Sequence, residues 1–113
     1  MSKLITKLVL PIKRKWFDMI MYGEKKEEYR EIKPYWTKRF QTIGLLDENG
    51  EMTRKIVRVT FRNGYGKDAP EFKAWVGMAI GNGLQNWGAE PGKTYYILVI
   101  NQVCYDALSE ETV

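Results

Sequence analysis

The chain has 113 residues, 44% hydrophobic and 13% aromatic, with one cysteine and no histidine. That composition describes one folded domain rather than a disordered chain, and it excludes Ser-His and Cys-His nucleophile pairs, the usual zinc sets and an internal disulfide. The net charge of +4 is uneven: residues 1–40 hold 11 Lys/Arg against 5 Asp/Glu, and residues 41–113 hold 7 against 9.

Leu4 to Ile12 alternates apolar and polar positions and predicts a first strand, with Pro11 near its end, where a missing N–H is tolerated. Lys13-Arg14-Lys15 leads into a short helix carrying Trp16, Phe17, Ile20 and Met21 on one stripe. Gly23 closes that helix, because glycine tolerates positive φ. A second strand is expected from Lys26 to Ile32, with Glu28 and Arg30 on one side and Glu27 and Tyr29 on the other. Pro34 breaks it and opens a short helix through Phe40. Leu45 to Thr53 reads as a polar loop or hairpin tip. Strand three, Lys55 to Arg62, turns Val57, Val59 and Phe61 inward and ends in the turn Asn63-Gly64-Tyr65-Gly66. Strand four runs from Phe72 to Ile80, and Gly81 to Gly92 is loop. Gly81-Asn82-Gly83 lacks the Gly-Lys-Ser/Thr ending of a phosphate loop. Strand five, Thr94 to Val103, is apolar on both faces, the mark of a covered strand. It leads to Cys104, read as a buried structural thiol. The acidic tail 107–113 is expected to fray.

Short strands, glycine turns and few helices predict a single α+β domain over residues 1–113, a small mixed β-barrel of about five to six strands with two short helices. No apolar run reaches the ~20 residues that span a membrane, and the N-terminus lacks a small-residue cleavage site, so a cytoplasmic setting is expected. No metal or other cofactor is expected. The basic N-terminal half interleaves Trp16, Tyr22, Tyr29, Tyr35, Trp36 and Phe40, a pattern that suits a phosphate backbone with stacked bases and equally a solvated surface.

The order strand, apolar helix, charged strand, then three more strands resembles the ASCH domain family of the PUA-like superfamily. The likeness rests on Leu10-Pro11-Ile12-Lys13, Trp16-Phe17-Asp18-Met19-Ile20 and above all Gly23-Glu24-Lys25-Lys26-Glu27-Glu28-Tyr29-Arg30. Asn63-Gly64-Tyr65 and the stretch from Trp87 to Leu98 look like a phage- and Firmicute-type branch of that family. The resemblance implies a barrel with a cleft beside the first helix and the motif strand, binding RNA, another nucleic acid, or a nucleoside or nucleotide. Some small ASCH proteins are amidohydrolases acting on N4-acetylcytidine, with a Gly-x-Lys-Thr-x-Thr-x-Arg motif. Lys25 matches the lysine and Arg30 the arginine, but Glu28 stands at the threonine nucleophile position, which weighs against catalysis.

The candidate ligand contacts are therefore Lys13, Lys15, Lys25, Glu28, Arg30, Trp36, Asn63 and Tyr65, with Lys25 and Glu28 the catalytic pair if the chain is an enzyme. Each has a plainer alternative. Lys25 is either a phosphate or carbonyl contact in the cleft or a solvated lysine beyond a helix end. Glu28 and Arg30 either share a ligand or pair with each other. Trp36 either stacks on a base or caps the core, Lys13 and Lys15 are phosphate contacts or surface charge, and Asn63 and Tyr65 serve the cleft mouth or only the turn. Trp75 and Trp87 are read as structural.

Overall fold

The computed structural model describes residues 8–66 and 68–105. The start of the expected first strand, residues 4–7, and the acidic tail lie outside the described residues. Five strands and two α-helices follow one another: β1 (Val9–Ile12), α1 (Arg14–Met21), β2 (Glu27–Glu31), α2 (Pro34–Thr42), β3 (Val57–Asn63), β4 (Glu71–Asn82) and β5 (Thr94–Cys104). A 3-10 turn at Gln85–Trp87 lies between β4 and β5. Gly81 and Asn82, expected in the loop, extend β4 instead, paired with Tyr95 and Thr94.

The strands form one mixed sheet in the order β1-β3-β4-β5-β2. β1 runs parallel to β3, and the other three pairs are antiparallel. The fold is thus α+β, as expected. The sheet is open in its backbone hydrogen bonding: β1 and β2 end the order and share no ladder among the described residues.

Alternation decides which side chains fill the core. Leu8, Leu10 and Ile12 meet Val59 and Phe61, then Phe72, Ala74 and Val76, then Tyr96 and Leu98. Phe17 and Ile20 of α1 and Phe40 of α2 close over them, each contributing roughly 1.5–3 kcal/mol by leaving water. The opposite face of β5 and β2 has its own small cluster, in which Tyr29, Tyr95 and Ile97 pack on Ala89. β5 is therefore covered on both sides over Tyr95–Leu98, as its apolar pattern predicts. A bulge shifts the β4–β5 register between Trp75 and Val76, so that Gln102 pairs with Trp75 but Ile100 with Val76. Ile100 and Val103 can then both pack on the core. Cys104 is half-buried at the end of β5, beside Lys73, rather than fully enclosed. No described helix is long and apolar enough to cross a membrane.

Both helices stop the same way. After α1, Gly23 takes φ +85°, its N–H bonds the Ile20 carbonyl at 3.1 Å, and the Glu24 N–H bonds the Met19 carbonyl at 2.8 Å. After α2, Gly44 takes φ +90°, its N–H bonds the Gln41 carbonyl, and the Leu45 N–H bonds Phe40. These are Schellman caps, which satisfy the last carbonyls and reverse the chain. The first of them turns Lys25 back beneath α1.

Candidate functional site

Lys25 is fully buried, at 1% exposure. Its Nζ donates to the Trp87 carbonyl at 2.5 Å and lies 3.1 Å from Glu28 Oε1. The rings of Trp16 and Tyr29 flank it, with centroids 4.8 and 4.9 Å away. Burial pulls its pKa below the ordinary lysine value. Glu28 opposes that pull through charge and hydrogen bonding, and Arg30 adds to it. Lys25 is thus neither the solvated lysine nor the cleft contact that the sequence left open. It is an internal cation held by a carbonyl, a carboxylate and two ring faces.

Glu28 stands between two cations. Its Oε2 accepts from Arg30 Nη1 at 2.5 Å, while Oε1 faces Lys25. The Arg30 guanidinium also donates to the Tyr29 carbonyl at 2.8 Å and, across the open edge of the sheet, to the Pro11 carbonyl at 3.2 Å. It lies 5.1 Å from the Trp36 ring centroid. On the other side of β2, the Tyr29 hydroxyl donates to Glu27 and accepts from the Leu84 N–H. Burial keeps that phenol protonated well beyond its usual range. The predicted parity of β2 is therefore observed, and Glu28 and Arg30 are ion-paired with each other.

Glu28 and Arg30 nevertheless lie at the base of an open cleft of ≈ 520 Å³. Pro11 and Ile12 of β1 form one side, and Tyr35, Trp36 and Arg39 of α2 form the other. Trp16, Lys13 and the turn residues Gly64 and Tyr65 complete the lining. Tyr65 is 86% exposed, and Arg39 lies on the Tyr35 ring, its guanidinium carbon 3.6 Å from the centroid. The lining thus holds four aromatic side chains and three cations, Lys13, Arg30 and Arg39, against the one carboxylate of Glu28.

Of the residues singled out from sequence, Lys13, Glu28, Arg30, Trp36 and Tyr65 meet in this cleft. Trp36 does both things expected of it, lining the cleft and stacking on Phe40 of the core. Lys25 lies behind Glu28. Lys15 is exposed and lies over the Trp16 ring without lining the cleft, and Asn63 ends β3 opposite Ile12. Arg39 escaped the sequence reading, and Trp16 and Tyr35 entered it only within the aromatic pattern of the basic N-terminal half. The i, i+4 spacing of Tyr35 and Arg39 on a short helix was the available signal. The apolar stripe of α1 assigns Trp16 to the core, against which it does pack while also lining the cleft. Trp87 has a part that no side-chain pattern displays, because it is its carbonyl that receives Lys25. Among the described residues no group of acidic or cysteine side chains could hold a metal ion.

No protein-family model, curated protein or solved structure matches this chain.

Proposed function

We propose that this chain is a small ASCH-type domain of PUA-like architecture that binds single-stranded RNA, or another nucleic acid, by taking one unpaired nucleotide into the cleft between β1, β2 and α2. One observation carries this reading: aromatic walls and an excess of cations converge on a space the size of a small ligand. A base offers flat apolar faces to Trp36, Tyr35 or Tyr65, and its phosphates are anions for Lys13 and Arg39 at the rim. Arg30 has three of its five N–H groups engaged by Glu28, Tyr29 and Pro11, and Glu28 beside it is an acceptor. Together they can read a base edge. In this reading the barrel seam between β1 and β2 is bridged by the Arg30 side chain. The free thiol of Cys104 suits a cytoplasmic setting.

The amidohydrolase alternative is weaker. Lys25, which the resemblance would make catalytic, is enclosed behind Glu28, and Glu28 is held by two cations where a free nucleophile is needed. A modified nucleoside would use the same cleft as a nucleotide, without the phosphate contacts.

Fluorescence anisotropy of a labelled single-stranded RNA, titrated over a range of salt, tests the proposal. Arg39→Ala is expected to weaken binding and to lower the slope of log K against log salt by about 0.7, one phosphate contact. Tyr65→Ala is expected to weaken binding about tenfold without changing that slope. Both side chains are exposed, so neither change should disturb folding. Absence of binding at low salt would overturn the reading.

A further inference from the structure

A second surface lies beside the cleft, on the outer face of β3 and β4. There Arg58 stands opposite Trp75 and Thr60 opposite Lys73. These four line a groove of ≈ 530 Å³ with Ile43, Ile56 and Val57, and the groove reaches round the edge of β3, since Ile43 and Val57 also pack on the core. Trp75 is 40% exposed and Ile56 45%. The Arg58 guanidinium carbon lies 5.7 Å from the Trp75 ring centroid. Among the described residues neither Arg58 nor Lys73 has a carboxylate at ion-pair distance, and the acid nearest them in register, Glu71, is taken by Arg62. An exposed tryptophan between two such cations contributes little to the core and matches a stacking platform.

The groove adjoins the cleft through the sheet. Val9 lines the cleft and pairs with Thr60, which pairs with Lys73. Strands lie about 4.8 Å apart, so Val9 and Lys73 are separated by about 10 Å. A strand with one nucleotide in the cleft would therefore bring a neighbouring one over the groove.

We propose that this groove is a second nucleotide subsite of the same single strand, in which Trp75 stacks on a base while Arg58 and Lys73 hold the flanking phosphates. The proposal rests on the reading of the cleft as a nucleotide site. A second copy of the chain is a poorer occupant. A two-fold contact on this patch would oppose Arg58 and Lys73 to their own counterparts, with no acid in the groove to separate them.

The test uses the full chain and three labelled probes: uridine monophosphate, a uridine dinucleotide and a uridine hexanucleotide. The hexanucleotide is expected to bind more tightly than the shorter probes. Trp75→Ala should weaken the hexanucleotide about tenfold and leave the monophosphate unchanged, and Trp75→Phe should recover most of the loss. Joint replacement of Arg58 and Lys73 by alanine should lower the salt slope for the hexanucleotide by about 1.4. If Tyr65→Ala weakens the hexanucleotide but Trp75→Ala does not, the cleft reading stands and the groove is refuted. If no probe binds the wild-type chain, the cleft reading fails first and takes the groove with it. If sedimentation shows a dimer that Trp75→Ala dissociates, the patch is a contact between copies and the proposal is wrong.

Discussion

At the scale of single residues, the row Lys25–Glu28–Arg30 governs the site. One carboxylate separates two cations, one fully enclosed and one at the cleft base. Glu28→Gln preserves shape but leaves both cations facing a neutral amide. Breaking a buried ion pair by removing one partner typically costs 3–5 kcal/mol, and a loss of about that size is expected in urea denaturation. Wild-type stability in the variant would show that Glu28 is dispensable to the pairing. The contact between Glu28 and Arg30 was within reach of the sequence, because two residues spaced by two on a strand share a face. The burial of Lys25 was not, because it depends on a carbonyl 62 residues away and on rings brought in by α1 and β2. A lysine two residues past a helix-ending glycine reads as solvated when only its neighbours in sequence are considered.

At the scale of elements, two glycines with unlike duties can be separated by experiment. Gly23 has φ +85° with nothing within 4 Å of where a Cβ would stand, so only its backbone conformation resists substitution. Gly23→Ala should cost roughly 1–2 kcal/mol. At Gly83 the same added carbon would meet the Tyr29 ring at 2.6 Å and Ala89 at 2.7 Å. Gly83→Ala should therefore cost more than Gly23→Ala in thermal denaturation, and the shift of Tyr29 should be visible in its ring resonances. Equal losses would contradict this assignment. The helix stop at Gly23 was legible because αL geometry selects glycine. The closeness of Gly83 to Tyr29 was not, since it joins β2 to a turn over fifty residues later. The bulge opposite Trp75 left a trace in the sequence: the polar pair Asn101-Gln102 interrupts the alternation of β5, and Val103 resumes inward after an odd step.

At the scale of the molecule, the sheet has a seam. β1 is bound to the rest of the sheet by its parallel ladder with β3, and Arg30 of β2 reaches Pro11 from the far edge. Arg30→Met removes that tie together with the ion pair to Glu28 and the bond to the Tyr29 carbonyl. Hydrogen exchange should quicken most, by about tenfold or more, at Thr60 and Gly64, whose N–H groups bond the Leu8 and Ile12 carbonyls. Exchange along the β4–β5 ladder should quicken less. Uniform acceleration would mean that Arg30 supports the whole fold instead of the seam. The strand count and the α+β class followed from alternation and turns, but strand order did not, since nothing in a local pattern states that β2 pairs with β5. The enclosure of the Lys25 amine has a last consequence, for chemical reactivity. An acylating reagent meets the exposed lysines at its own rate. It reaches Lys25 only when the Trp87 carbonyl and the two rings have parted, so modification there proceeds at the rate at which this corner of the molecule opens.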